Sequence, residues 1–335
     1  MDKYYQMAER IHGESIAADA HLDLGGIIYN RRKQGDENVL KTHFLDSYRA
    51  AGFRLIVAVV FIDTEYVDMA LKLALRQINA VKQEIALNSE DCMLIKSKAD
   101  LEELYKNDKV GFILSLEGAE PIGRELDLLD TFYELGVRGM GLTWSRRNYV
   151  ADGSYFRDPE EGIRGGLTPF GIEVVRRAEE LGIWLDLSHL NDEGVSDVFK
   201  YTEKSLMASH SNARVLNPMT RNMPDDIIKQ IIARDGFIGI NVYKGIVSQD
   251  ETEQTIEKIV DHIEHMINLG GANCVGFGFD LCRMFYDPAD KIDVLFDHSE
   301  ALLITTELLR RGHDEAQIKR IIGSNFIKYI TRVLD

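Results

Sequence analysis

Short apolar or β-branched runs alternate with longer stretches of helical period along almost the whole chain. The runs fall at 15–23 (SIAADAHLD), 54–63 (RLIVAVVFID), 109–118 (KVGFILSLEG), 137–144 (VRGMGLTW), 183–190 (IWLDLSHL), 205–211 (SLMASHS), 236–243 (GFIGINVY) and 273–280 (NCVGFGFD). Between them lie segments such as 66–86 (YVDMALKLALRQINAVKQEIA), 127–136 (DLLDTFYELG) and 170–182 (FGIEVVRRAEELG), whose apolar residues recur at three-four spacing. Runs that are nearly all apolar, rather than alternating, suit parallel strands buried on both faces. Eight strand–helix alternations in 335 residues predict an α/β fold of the (β/α)8 TIM-barrel type, with one domain over 1–335. The competing architecture is a doubly wound open sheet. Its nucleotide-binding form loses ground because no G-x-G-x-x-G follows the first run, and VGFGFD ends in an aspartate where a helix should open. The last segment, 299–334, predicts two closing helices.

Composition narrows the partners. With 55 acidic against 39 basic residues the formal charge is -16, and no Lys/Arg-rich stripe offsets it, which argues against nucleic acid. Cys92, Cys274 and Cys282 form no C-x-x-C pair and are odd in number, so a disulfide framework or zinc ribbon is not indicated and a reducing compartment fits. The charged amphipathic start, MDKYYQMAERIHGES, has no signal-peptide core, and no run reaches the roughly 18 apolar residues of a membrane helix. The expectation is a soluble cytoplasmic protein without a membrane partner.

In barrels of this type chemistry sits at the C-terminal ends of the strands. There the runs place His21 and Asp23, Glu117, Trp144, His189, His210, Asn241 and Asp280. His12, His43, His262, His265, His298 and His313 lie away from strand ends and read as ordinary core or loop residues. A single rim histidine has that same ordinary reading. Several imidazoles and carboxylates at one rim do not, because burying them together without a cation is costly. The period-two alternation of a strand sends His21 and Asp23 to one face, where imidazole nitrogen and carboxylate oxygen can reach one ion. His189 and His210 can serve a second ion, and Glu117 has two oxygens with which to bridge. Mixed nitrogen and oxygen ligation suits catalytic zinc, with manganese, cobalt or iron as alternatives. Asp280 stands apart as a general base.

The stretches DAHLD, SLEGAE, LDLSHL, ASHSNAR followed by RNMPDD, and VGFGFD, in this order over about 15–330, resemble the membrane (renal) dipeptidase family, peptidase family M19 of the amidohydrolase superfamily. The resemblance implies a site with two Zn2+ ions: His21 and Asp23 on one, His189 and His210 on the other, Glu117 bridging. It implies that Asp280 takes a proton from a bridging hydroxide and delivers it to the leaving amine. It also implies that Arg221, eleven positions after His210, binds the carboxylate of a small dipeptide, a role that suits a planar bidentate donor. Dimers are common in the family, so a homodimer is a further expectation.

Two departures from the family pattern bear on substrate. Where family members read L-T-H, with a histidine on the scissile carbonyl, LTWSRRN places Trp144, whose indole can donate one hydrogen bond but carries no charge. Where they read D-F-D-G, this chain has Asp280-Leu-Cys-Arg283. The expected activity is hydrolysis of small dipeptides, including L-D dipeptides. The alternatives are a binuclear amidohydrolase acting on another carboxylate-bearing amide, such as an N-acyl amino acid or lactam, and a barrel that holds metal without catalysis.

Overall fold

The computed structural model describes residues 2–156, 162–287 and 289–334. The strands are β1 (Ala17–Leu22), β2 (Phe53–Phe61), β3 (Cys92–Leu94), β4 (Val110–Glu117), β5 (Val137–Gly141), β6 (Trp184–Asp186), β7 (Met207–Ala208), β8 (Phe237–Ile240) and β9 (Val275–Phe277). They pair in the order β1-β2-β4-β5-β6-β7-β8-β9, every neighbour parallel, with β3 attached outside this path to β4. The two end strands meet where the Asp280 N–H donates to the His21 carbonyl at 3.1 Å. The result is the expected barrel of eight parallel strands with helices around it.

Burial of both strand faces accounts for the unbroken apolar runs. In β2, Leu55, Val57 and Val59 share an apolar cluster with Trp184, Met207 and Phe237, while Ile56, Ala58 and Val60 pack in the larger cluster with the surrounding helices. The closing segment forms helix Ala301–Arg310 and then Glu315–Lys319 and Asn325–Val333, joined through a π turn at Arg320–Ser324. At that turn Gly323 lies so close to β1 that a Cβ would stand 1.9 Å from the Ile16 carbonyl oxygen. Phe326 then packs on Phe237, at the N-terminal end of β8, with ring centroids 5.0 Å apart.

Two differences from the sequence expectation have local causes. Strand β3 escapes the pattern because it is three residues long, lies among charged neighbours and buries only Cys92 fully. Several strands are also shorter than their apolar runs: 183–190 is strand only over Trp184–Asp186, and 205–211 only over Met207–Ala208. The chain leaves the extended conformation just where functional side chains begin. Ser145, His189 and Asp280 take φ of 50°, 66° and 55°, a left-handed conformation uncommon for L-residues, which Asp235 and Lys291 also take elsewhere in the chain.

Asp19 ties the seam between the end strands. Its Oδ1 accepts from the backbone N–H of His21 (3.1 Å) and of Phe279 (3.0 Å), and its Oδ2 meets His298 Nε2 at 2.8 Å, all in a buried setting. Asp19→Ala leaves three buried donors without a partner. The expected loss of stability is about 3–5 kcal/mol, read as a lower urea midpoint in metal-free buffer, with Asp19→Asn milder. An unchanged midpoint would remove Asp19 from the seam.

Candidate metal centre

The rim residues converge from five strands. Asp23 stands one residue beyond β1, at the N-cap of helix Leu24–Lys33, yet makes no side-chain cap bond; its carboxylate turns inward instead. Glu117 is the last residue of β4. Its Oε1 lies 3.0 Å from His189 Nε2, 3.4 Å from His210 Nε2 and 3.5 Å from His21 Nε2, so one oxygen faces three imidazoles. His21 Nε2 is also 3.7 Å from Asp23 Oδ1 and 4.0 Å from Asp280 Oδ1, and His189 and His210 bring their Nε2 atoms within 2.9 Å of each other.

The electrostatics of this cluster are those of a site short of positive charge. Burial opposes a proton on His21 most strongly, but the Glu117 charge, the neighbouring Asp23 carboxylate and the Asp280 charge outweigh it and push its pKa up to about 10. Burial, then the Asp23 charge, drives Glu117 well above the usual carboxylate range despite the pull of His21. Burial likewise raises Asp280 to about 6, with His21 pulling the other way. His189 and His210 fall well below the ordinary imidazole value, chiefly through burial, with Arg221 next for His189 and His21 next for His210.

The donor set fits a divalent cation. His21 Nε2, Asp23 Oδ1 and Glu117 Oε2 are buried with no hydrogen-bond partner, a costly state for three polar atoms unless something positive meets them. Two overlapping groups, His21–Glu117–His210 and His21–Asp23–Asp280, bring ligand atoms within 4.8 Å of one another. Mixed imidazole and carboxylate donors suit zinc.

The other expected residues line the same centre. Asn241, just past β8, donates from Nδ2 to Asp280 Oδ2 at 3.0 Å, and its Oδ1 accepts from the Tyr243 N–H at 2.6 Å. Arg221 is buried; it donates from Nε to His189 Nδ1 (3.1 Å), from Nη1 to Ser211 Oγ (3.3 Å) and from Nη2 to the His210 carbonyl (3.1 Å). Trp144 is half-buried, with its ring centroid 4.7 Å from Phe61 and 5.7 Å from His189. Beside it, the Arg146 guanidinium pairs with Glu120 at 3.2 Å. Cys282 donates through Sγ to the Asp280 carbonyl at 3.1 Å.

The six remaining histidines all have protein partners: His12 with Ala51 and Thr305, His43 with Asp36, His262 with Ala213 and Val247, His265 with Asp225, His298 with Asp19, His313 with Glu264. Residues that the strand-end pattern overlooked stand behind the site: Ser145 Oγ at 2.7 Å from His189 Nδ1, Ser209 against His21 and His210, and Asp186 beneath Ser209. For Asp186 and Ser209 the signal was a polar residue inside an apolar run, in IWLDLSHL and SLMASHS, because a buried Asp or Ser must find partners; Ser145 follows its run and carried no such signal.

A barrel that gathers three imidazoles and three carboxylates at the C-terminal ends of its strands is of the class equipped to hold divalent metal there. The family is specific: residues 5–334 match the profile of the membrane dipeptidase family, peptidase family M19, and the chain belongs to it. It is similar to the dipeptidase aclJ of Aspergillus oryzae, 31% identical over 258 residues that make up 76% of this chain and 60% of that protein. It is also similar to the dipeptidase tcpJ of Claviceps purpurea, 27% identical over 260 residues, 78% of this chain and 60% of that protein. The chain thus spans about 60% of the length of these relatives. Among solved structures, the fold matches the probable dipeptidase PvdM from Pseudomonas aeruginosa with a TM-score of 0.86 at 21% identity, covering 99% of this chain and 98% of that one. It also matches a metallo peptidase from Rhodobacter sphaeroides, liganded with a phosphinate mimic of the dipeptide L-Ala-D-Ala, with a TM-score of 0.84 at 23% identity, covering 95% and 99%.

Proposed function

We propose that the chain is a zinc-dependent dipeptidase that hydrolyses the single amide bond of small dipeptides, L-D dipeptides among them. The observation that carries this is the meeting of three imidazole Nε2 atoms on one oxygen of Glu117, beside unpartnered Asp23 and Glu117 oxygens. His21 and Asp23 would hold one ion, His189 and His210 the other, and Glu117 both. When bound, two such ions supply water activated for attack and a polarised scissile carbonyl. Asp280 moves the proton: its carboxylate, fixed by Asn241 at Oδ2, takes a proton from the attacking water and returns it to the leaving nitrogen. Asn241 thus acts at the substrate through Asp280, while Trp144, its ring centroid 5.7 Å from that of His189, would stand beside the scissile carbonyl.

Arg221 is the anion-binding group in this reading. A histidine that ligates through Nε2 carries its proton on Nδ1, which Ser145 Oγ can accept; this releases the Arg221 Nε–H from His189. That Nε–H is then available to the substrate carboxylate, while Nη1 and Nη2 stay on Ser211 and the His210 carbonyl. Arg221→Met is expected to raise KM for dipeptides about 10- to 100-fold, the cost of one charge-assisted hydrogen bond. Unchanged steady-state kinetics would take Arg221 out of this role.

The whole reading is tested by screening zinc-loaded protein against L-Xaa-L-Xaa and L-Xaa-D-Xaa dipeptides and N-acyl amino acids, with a metal-stripped control. Metal-dependent cleavage of free dipeptides is the expected result. Cleavage confined to N-acyl substrates would favour the second reading, an amidohydrolase of other carboxylate-bearing amides, which Trp144 and the Asp280-Leu-Cys-Arg283 turn prompt. No helix among the described residues is long and apolar enough to cross a membrane. A cytoplasmic homodimer completes the proposal, with sedimentation as its check.

A further inference from the structure

We propose that Ser209 is a positioning residue shared by the two halves of the metal site, and that Asp186 sets its direction. This rests on the metal-dependent reading above. Ser209 Oγ lies 3.0 Å from His21 Nδ1 and 2.6 Å from His210 Nδ1, and it donates in a short hydrogen bond to Asp186 Oδ2. A serine hydroxyl has one proton and two acceptor sites. Asp186 is an acceptor only, and its other oxygen is already held by the backbone N–H groups of Ser188 (3.0 Å) and Ser209 (2.9 Å). The serine proton is therefore committed to Asp186, and its lone pairs face both imidazoles.

The consequence is a choice of tautomer made twice by one atom. Both His21 and His210 must donate from Nδ1, which leaves both Nε2 lone pairs aimed at Glu117 and the cations beyond it. The two rings lie 3.7 Å apart at 41°, close enough for a single hydroxyl to serve both. The serine's own backbone has no freedom to drift. Gly239 and Gly278 crowd the Ser209 carbonyl oxygen so closely that a Cβ on either would stand 1.8 or 1.7 Å from it. His189 is governed separately, through Ser145. One hydroxyl thus sets one ligand of each proposed ion, so its loss should weaken both together.

The two substitutions predict different outcomes. Ser209→Ala removes the acceptor from both imidazoles and should lower the affinity for both ions about 10- to 100-fold. Asp186→Asn keeps the shape, and its amide cannot flip without turning NH2 onto two backbone N–H donors. Its Nδ2 then donates to Ser209 Oγ and turns the serine proton toward one imidazole, which must accept at Nδ1 and protonate Nε2. One ion should be weakened and the other kept. The measurement is a Zn2+ titration against a competing chelator for wild type and both variants, with 15N shifts of the neutral His210 imidazole in the metal-free proteins reporting which of its nitrogens carries the proton. Two weakened sites in Ser209→Ala and one in Asp186→Asn, with a matching tautomer change, is the expected result. Wild-type affinities and unshifted imidazole signals in folded Ser209→Ala would overturn the positioning role while leaving the metal reading intact; if Ser209→Ala does not fold, Asp186→Asn decides alone. A wild-type protein that binds no divalent ion overturns both.

Discussion

Glu117→Gln should empty the metal centre without unfolding the protein. The carboxylate that faces His21, His189 and His210 would become a neutral amide of the same shape, so the negative charge common to both proposed ions disappears. Loss of a partner outside the ligand shell typically costs 10- to 100-fold in metal affinity, and a ligand shared by two ions should cost more than about 100-fold. Hydrolysis should fall with it. The apo protein should not suffer: Glu117 is buried and its pKa stands well above the usual carboxylate range, so an amide relieves a desolvated acid. Metal content after dialysis and the thermal midpoint in chelator would be measured side by side. Wild-type metal content in Glu117→Gln would sink its bridging role.

Asp280→Asn separates proton transfer from metal holding. The position tolerates the swap, since φ of 55° is a conformation asparagine adopts readily and Asn241 can still hydrogen-bond the new side chain. If Asp280 carries the proton between water and leaving nitrogen, kcat should drop about 10²- to 10⁴-fold while zinc content stays near wild type. Asp280 Oδ1 also lies 4.0 Å from His21 Nε2, in one of the two candidate ligand groups. Loss of zinc from Asp280→Asn would therefore assign it to the ligand shell instead, and full activity would remove it from the chemistry altogether.

The convergence of the rim residues was legible because each of them ends an apolar run, and the fold class because local periodicity repeats along the chain. His21, Glu117, His189, His210 and Asp280 could be placed at one rim without coordinates, given only the rule that a barrel puts its strand ends together. What escaped was of two kinds. Strand β3 is too short for a periodic signal. The supporting polar residues are invisible to periodicity because their partners are remote: His21 meets Ser209 across 188 positions, Asp19 meets His298 across 279.

The sequence by itself therefore determined the alternation of strands and helices, the apolar faces of the barrel, and which ionisable residues stand at its rim, all properties of neighbouring residues. Only the tertiary structure decided how those residues meet. It put three imidazoles on one oxygen of Glu117 and turned Asp23 away from the helix it precedes. It spent Asn241 on Asp280 and set Arg221 against His189 and Ser209 between two rings. Such contacts depend on loop paths and side-chain directions fixed by packing across the whole barrel, which no local pattern encodes.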